Sequence, residues 1–196
     1  MAERPPAGAR LRFEPLTEAS WPDLEALFGE RGACGGCWCM YWRQSAKEHE
    51  RNRGAGNRAA LREHVRGGRP LGVIGYLGGQ PVGWCSVAPR EHFVRLARSR
   101  ILAPVDDAPV WSITCLYLAP GARRQGISSQ LVDAACRHAA SLGAATVEAY
   151  PVEPRSEAMP PPFAWTGIRS AFDRVGFHEV ARRAETRPIL RRDTRG

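Results

Sequence analysis

A short basic turn followed by a helix is the part of this sequence best suited to chemistry. Residues 123–126, Arg-Arg-Gln-Gly, follow a β-prone run over 110–118 and precede apolar residues at helical spacing. The pattern predicts a strand, a turn and a helix that begins near Gly126. The first turn of a helix has unpaired backbone N–H groups and the positive end of the helix dipole. Together with Arg123 and Arg124, it predicts a binding site for phosphate groups.

The same unit resembles motif A of the GCN5-related N-acetyltransferase (GNAT) superfamily, whose pattern is Q/R-x-x-G-x-G/A after a strand ending in an alternating apolar pair and a proline. Here the pattern reads Arg123-Arg124-Gln125-Gly126-Ile127-Ser128, after Leu116, Leu118 and Pro120. Ser128 stands where the family has Gly or Ala, which adds a hydroxyl beside the expected phosphates. The alternative interpretation is an ordinary strand-turn-helix connection with a basic turn.

The resemblance implies that acetyl-CoA, or another short acyl-CoA, is the co-substrate. In the family, the amides of this turn hold the pyrophosphate of CoA, and the preceding strand pairs with the pantetheine arm. Carried over residue by residue, this implies one set of cofactor-binding residues: Leu116, Tyr117, Leu118, Arg123, Arg124, Gln125, Gly126, Ile127, Ser128 and Ser129. We expect no metal cofactor, because the histidines are widely spaced and form no metal-binding motif.

The remaining elements must position this unit. Apolar runs over 71–77 and 81–87 flank Gly78-Gly79-Gln80 and predict a hairpin. Other strands are expected over 11–16, 145–150 and 177–191, and helices over 18–28 (capped by Thr17), within 45–65 and near 167–175. This order matches the GNAT fold, an α/β (α+β) architecture with a central mixed, mostly antiparallel, splayed sheet of six to seven strands flanked by about four helices. We expect one domain over 1–196, with a flexible start over 1–9 and a tail over 193–196.

Composition limits the partners. Of the 28 basic residues only Lys47 is a lysine, and the formal net charge is +8. This charge suits an anionic cofactor, and although it also permits nucleic-acid binding, the arginines are scattered and a nucleic acid is not the expected partner. The densest arginine group, over 182–192, is interpreted as a solvated face. No run approaches the roughly 18 apolar residues of a membrane span, so we expect a cytoplasmic protein without a membrane partner. The sequence leaves a homodimer open.

Cysteines form one cluster with the spacing C-x-x-C-x-C, at Cys34, Cys37 and Cys39. A closed zinc site needs a fourth ligand, for which His49 and His64 are the candidates. There is no second C-x-x-C pair, and a cysteine in a packed interior behaves as a small apolar residue. We therefore favour packing over metal binding or redox chemistry.

Aromatic residues beside this cluster are candidates for the acceptor site. In the family, the segment between the first two helices borders the acceptor pocket, so the resemblance implies that Trp38, Tyr41 and Trp42 line it; plain core packing is the alternative. Asp106 and Asp107 are candidates for binding a cationic acceptor, although such turn residues often serve only as local hydrogen-bond acceptors. The proline-rich loop over 151–162 is a candidate wall of the same pocket.

Catalysis in the family is direct attack of an amine on the thioester, without a covalent acyl-enzyme. A tyrosine four residues before a Gly-Phe pair often protonates the leaving thiolate, but Phe172 holds that position here. Alternation along 146–150 places Glu148 and Tyr150 on one face of the strand. Glu148 is a candidate to accept the amine proton through water, and Tyr150 a candidate to protonate the sulfur. The alternatives are a salt bridge to an arginine for Glu148 and a core position for Tyr150.

The resemblance thus implies an N-acetyltransferase acting on a primary amine, with a small-molecule acceptor favoured. A protein amino terminus or lysine is the alternative acceptor. A domain that binds acyl-CoA or RNA without turnover is the non-enzymatic alternative, because Phe172 removes the usual proton donor. A second departure is Trp165, which stands where the family often has Asn.

Overall fold

The computed structural model describes residues 10–154 and 164–194. Its strands are β1 (Leu11–Pro15), β2 (Gly72–Leu77), β3 (Gln80–Pro89), β4 (Trp111–Leu118), β5 (Thr146–Ala149), β6 (His178–Arg182) and β7 (Pro188–Asp193). Its helices are α1 (Trp21–Phe28), α2 (Ala46–Arg51), α3 (Ala55–Arg66), α4 (Val94–Ala97), α5 (Ile127–Ser141) and α6 (Arg169–Asp173). The seven strands of this part of the chain form one sheet in the order β1-β2-β3-β4-β5-β7-β6.

The sheet is mixed and splayed, as the sequence predicted. Only β4 and β5 pair in parallel, and all other neighbouring strands are antiparallel. The parallel pairing joins 111–113 to 147–149 and does not continue, so the second half of β4 separates from β5. Six helices occur in the described residues instead of about four. The segment over 45–65 breaks at Gly54, whose φ of 76° no helix accommodates, and α4 is a single turn.

Both faces of the sheet are covered, which is why adjacent strand residues such as Val73 and Ile74 are both buried. On one face α5 contributes Leu131, Ala135 and Ala139, whose spacing of about one helical turn lines up one apolar stripe. On the other face, α1 and α3 cover the sheet through a second apolar cluster. A third cluster at the end of the sheet joins residues of the 41–42 segment, α4, β7 and Tyr150.

Several element boundaries differ from the prediction, and the start of α1 and the end of β7 are two examples. Helix α1 begins at Trp21 with Ser20 as its N-cap, three residues after the expected Thr17 cap. Strand β7 continues through Asp193, which pairs with Thr146, and the Thr194 N–H donates to the carbonyl of Ala145 at 3.0 Å. Residues 193–194 therefore continue the pairing of β7 with β5, although a tail was expected from residue 193. The expected flexible start over 1–9 and residues 155–162 of the proline-rich loop lie outside the described residues.

Candidate functional site

The turn between β4 and α5 has the backbone geometry of an anion site. Gly126 is the N-cap of α5 and adopts a left-handed conformation with φ of 73°. Arg124 has a φ of 60°, which is uncommon for a residue with a side chain. Gly126 offers no side chain to cap the helix, so the N–H groups of the first turn are open to a ligand. Arg123 and Arg124 are exposed on the same turn.

Two side chains of the turn hydrogen-bond to nearby carbonyl groups, whereas two other polar groups have no such partner among the described residues. The Gln125 amide donates to the carbonyl of Gly121 at 2.7 Å, and Arg123 Nε donates to the carbonyl of Leu118 at 3.1 Å. Arg124 forms no ion pair with any described residue, and the buried Ser129 Oγ has no hydrogen-bond partner among them. Amides, a free guanidinium and an orphan hydroxyl at a helix N-terminus fit the pyrophosphate of an acyl-CoA.

The gap between β4 and β5 is crossed by residues 164–168. The Leu116 N–H donates to the carbonyl of Trp165 at 2.7 Å, and the Val152 N–H donates to the carbonyl of Gly167 at 2.9 Å. A pantetheine arm that paired with β4 at Leu116 would have to take this N–H from Trp165. The fit to an acyl-CoA is therefore direct at the phosphate end and requires one backbone hydrogen bond to be exchanged at Leu116.

Phe172, at the position of the family's tyrosine, faces this crossing segment. The ring is fully buried and packs edge-to-face on Phe177, with 5.3 Å between centroids. A Cβ placed on Gly167 would lie 2.6 Å from Phe172 Cε2 and 3.4 Å from a Leu116 methyl group. Gly167 thus allows the chain to pass between the ring and β4, and no hydroxyl is available from residue 172.

Glu148 and Tyr150 are fully buried and belong to one hydrogen-bonded network. The Tyr150 hydroxyl donates to Glu148 Oε1 at 2.6 Å and lies 2.8 Å from Ser112 Oγ. Arg90 Nη1 donates to Glu148 Oε1 at 2.8 Å, and Arg191 Nε donates to Glu148 Oε2 at 2.9 Å. Burial, and then the negative charge of Glu148, raise the pKa of Tyr150 well above its usual value, so the phenol stays protonated. Glu148 is held between two arginines.

Asp107 lines a cavity of about 330 Å³ next to this network, together with Glu148, Arg90 and Arg191. Its neighbour Asp106 accepts two hydrogen bonds from Arg191, at 2.6 and 3.0 Å, and these lower the pKa of Asp106. The arginine group over 182–192 is therefore not one solvated face, because Arg191 is turned inward against Glu148 and Asp106.

Tyr41 and Trp42 line a second cavity of about 610 Å³, here called the aromatic cavity. Trp165 completes an aromatic cluster with them: its centroid lies 5.1 Å from that of Tyr41 and 5.7 Å from that of Trp42. The same cavity is lined by Arg95, Arg98 and Arg187. Its wall touches the motif strand, because the carbonyl of Trp165 accepts the Leu116 N–H.

Trp38 lies elsewhere. Its ring is buried against Trp21 and Phe28, with centroid separations of 6.1 and 5.6 Å, in the cluster under α1. The structure therefore brings Tyr41 and Trp42 together but places Trp38 and Asp107 in two other environments. Trp165, which the sequence showed only as a departure, joins them, as do three arginines that no local pattern distinguished.

The cysteine cluster is also divided. Cys34 is exposed, while Cys39 is buried with its Sγ 3.2 Å from that of Cys115 on β4. Trp84 Nε1 donates to Cys39 Sγ at 3.1 Å. Burial, and then the neighbouring Cys39, raise the pKa of Cys37 to about 11. Among the described residues no group of three or more His, Cys, Asp or Glu side chains is placed to hold a metal ion.

Arg43 is a buried residue that the sequence did not reveal. Burial lowers its pKa to about 10, and its Nη2 atom has only long contacts, 3.4 Å each, with the carbonyl of Leu71 and with Ser86 Oγ. Ser86 stands opposite Cys115, beside a β-bulge in which Thr114 is the extra residue of β4. Bulges redirect a strand, and this one lies where β4 leaves β5.

Comparisons with known proteins agree with this architecture. The model of the acetyltransferase (GNAT) family matches residues 33–160. No curated protein sequence matches the chain significantly. No helix in the described part of the chain is both long and apolar enough to span a bilayer.

Solved structures with the same fold include enzymes of this type. The PaiA N-acetyltransferase of Thermoplasma acidophilum, solved with coenzyme A, is 12% identical, with a TM-score of 0.52 over 94% of this chain and 99% of that one. An aminoglycoside N-acetyltransferase in complex with CoA is 16% identical, with a TM-score of 0.52 over 93% and 97% of the two chains. The protein yncA of Salmonella typhimurium, solved with acetyl-CoA, is 11% identical, with a TM-score of 0.51 over 94% of each chain. At these identities the likeness establishes the fold.

Proposed function

The chain belongs to the GNAT acetyltransferase family, and from this we propose that it transfers the acetyl group of acetyl-CoA to a primary amine of a small molecule. The observation that carries the proposal is the open N-terminus of α5 beside the separated half of β4, with the aromatic cavity on the far side of Trp165. A phosphate site and an acceptor-sized cavity flank the strand expected to hold the thioester. In direct attack the amine forms the N–C bond, the C–S bond breaks, the nitrogen loses a proton and the thiolate gains one.

The small-molecule acceptor is supported by the size and lining of the aromatic cavity. Ligand sites for small molecules are concave, largely apolar and commonly about 300–1,000 Å³. A cavity of about 610 Å³ with three aromatic side chains falls in this range. The CoA-binding role of residues 116–118 and 123–129 belongs to the same proposal.

Proton transfer is proposed to involve Tyr150 and Glu148, because Phe172 cannot donate. Tyr150 keeps its proton at neutral pH, and both oxygens of Glu148 are engaged, so Glu148 would act on the amine through water. Tyr150→Phe should then lower kcat by about 10²- to 10⁴-fold, the usual contribution of a general acid, and leave the KM for acetyl-CoA unchanged. If Tyr150→Phe keeps the wild-type kcat, water and not Tyr150 protonates the leaving thiolate.

The experiment that tests the proposed function measures free CoA thiol released from acetyl-CoA in the presence of a panel of primary amines. Amine-dependent release supports it. Tight acetyl-CoA binding by calorimetry with no release for any amine, and no acetylated product by mass spectrometry, would identify a binding domain instead of an enzyme.

A further inference from the structure

The aromatic cavity contains positive charge that the described part of the protein does not neutralise. Arg95, Arg98 and Arg187 line it, and no Asp or Glu does. None of these arginines forms an ion pair with a carboxylate among residues 10–154 and 164–194, whereas Arg90 and Arg191 at the neighbouring cavity both bind Glu148.

One carboxylate comes near the cavity from α2. Glu48 is close enough for Arg98 to lower its pKa, but hydrogen bonds from Ser45 have the larger effect. These bonds form the capping box of α2, in which the Glu48 carboxylate accepts from the Ser45 N–H at 2.9 Å. Glu48 is thus engaged at the helix terminus, and Arg187 has no counter-charge among residues 10–154 and 164–194.

Arg187 is the most informative of the three arginines. It is half-buried, and its Nη1 atom donates to Thr166 Oγ1, a neutral acceptor, at 3.2 Å. Burial lowers the pKa of Arg187, and the nearby Tyr41 raises it by a smaller amount. Taking a cation out of water without a partner costs free energy, and buried charges in proteins are normally paired. A ligand anion in the cavity would supply the missing partner.

The walls of the cavity indicate the rest of the ligand. Tyr41, Trp42 and Trp165 present a cluster of rings, and the rim includes Val94 and Ile101, which are 42% and 41% exposed. Large apolar side chains at such exposure beside aromatic rings favour an apolar ligand body that stacks on them. The buried Trp42 Nε1 also has no hydrogen-bond partner among the described residues.

We propose that the acceptor is a primary amine that also carries a carboxylate on an aromatic or similarly flat apolar body. Arg187 binds the carboxylate, and Arg95 and Arg98 add positive potential. This inference rests on the proposed acetyl transfer, because it names the acceptor of that reaction. The acceptor proposed here carries a negative group, whereas Asp107 led us to expect a cationic acceptor; Asp107 lines the other cavity. Polycationic amines are disfavoured, because three arginines repel them.

The test compares tryptophan as an acceptor with tryptamine, tryptophanamide and the polycation spermidine. Tryptamine lacks the carboxylate and has a more basic amine than tryptophan, whereas tryptophanamide lacks it and has a less basic amine. A preference for tryptophan over both therefore cannot come from amine ionisation. We expect kcat/KM for tryptophan to exceed that of tryptamine, tryptophanamide and the polycation spermidine by about tenfold or more, as the loss of one charged contact implies.

Variants of Arg187 give the second readout. Arg187→Met should raise the KM for tryptophan by roughly 10- to 100-fold and leave that for tryptamine unchanged, and Arg187→Lys should retain part of the affinity. Arg183→Met is the matched control, because Arg183 is exposed and bonds only the carbonyls of Ala103 and Pro104 among described residues. Thermal unfolding confirms that each variant folds. N-acetyltryptophan should raise the unfolding temperature of the wild type but not of Arg187→Met.

The outcomes separate the two proposals. If no amine releases CoA while N-acetyltryptophan still binds through Arg187, the transfer function is wrong and the anion site stands. If spermidine or tryptamine is acetylated as efficiently as tryptophan, or if Arg187→Met has the wild-type KM, the inference about the acceptor is wrong and the transfer function stands. If no amine releases CoA and N-acetyltryptophan does not bind, both the transfer function and the inference about the acceptor are wrong.

Discussion

Glu148 is surrounded by groups that make its charge necessary to the fold whatever part it takes in catalysis. It forms ion pairs with Arg90 and Arg191, whose side chains are only 13% and 12% exposed. Glu148→Gln would leave the nearly buried Arg90 without a carboxylate partner among the described residues, and Arg191 with Asp106 alone. We expect the free energy of unfolding to fall by about 3–5 kcal/mol, the usual cost of breaking a buried ion pair from one side. Urea denaturation at neutral pH measures it.

Glu153→Gln is the control for this prediction. Glu153 pairs with Arg169 and Arg182, but it is 41% exposed, so its removal should cost less than about 1 kcal/mol. Equal losses in the two variants would show that the Glu148 network does not stabilise the fold.

Sequence reasoning reached Glu148 and Tyr150 but not their partners. The alternation along 146–150 placed the two on one face, and their hydrogen bond of 2.6 Å confirms this. Arg90 and Arg191 lie 58 and 43 residues from Glu148 along the chain. Nothing in their local sequence distinguishes them from the other arginines, since only the sheet brings them together.

At the scale of elements, the N-terminus of α5 carries the cofactor proposal. A Cβ at Gly126 would meet no atom within 4 Å, but the φ of 73° disfavours any side chain. Gly126→Ala therefore introduces backbone strain alone, whereas Gly126→Asp adds a negative charge where phosphates are expected. We expect Gly126→Asp to weaken CoA binding by about 10- to 100-fold beyond Gly126→Ala, by calorimetry. Equal CoA affinities in the two variants would mean that the phosphates of CoA do not bind at this turn.

The edge strand β6 is tied to α6 by a carboxylate with a low pKa. Hydrogen bonds from Arg182, and then from Arg169, lower the pKa of Glu179 to about 2 from its usual value near 4.5. A carboxyl group whose pKa is lower in the folded than in the unfolded state stabilises the fold above its unfolded pKa. This stabilisation is lost as the pH falls through the folded pKa. The difference in urea midpoint between wild type and Glu179→Gln should therefore be largest above pH 4.5 and shrink towards pH 2. A difference that is constant over this range would exclude the ion pairs as its cause.

Elements with a strong local pattern were predicted to within one or two residues. Strand β4 and helix α5 are examples, because alternation, Pro120 and the helical spacing from Ile127 are all visible in the sequence. Helix α4 was missed. Its four residues are too few to show a period, and Leu96 is held by packing in the third apolar cluster, which forms only in the folded chain.

At the scale of the whole molecule, the aromatic cavity is assembled from distant stretches of the chain. Its residues come from 41–46, 94–102, 165 and 187. The sequence could indicate Tyr41 and Trp42 through the family resemblance, but not Arg95 or Arg187. Trp165 is the link between this cavity and the motif strand, because its ring faces the first and its carbonyl bonds the second.

This link predicts that acetyl-CoA changes the surroundings of Trp165 when it binds. If the pantetheine arm pairs with β4 at Leu116, the bond of 2.7 Å from the Leu116 N–H to Trp165 must break, and the ring must shift against Tyr41 and Trp42. We expect a change in tryptophan fluorescence on addition of acetyl-CoA. Trp165→Phe should abolish most of this change while the other five of the six tryptophans remain.

Adenosine 3′,5′-bisphosphate is the matched ligand control, because it carries phosphates but no pantetheine arm. It should compete with acetyl-CoA without reproducing the fluorescence change. An identical response to both ligands, or a full response in Trp165→Phe, would mean that the arm leaves the Leu116 bond intact. In that case the aromatic cavity and β4 would bind their proposed ligands independently, since coupling between two sites requires an element whose state both ligands change.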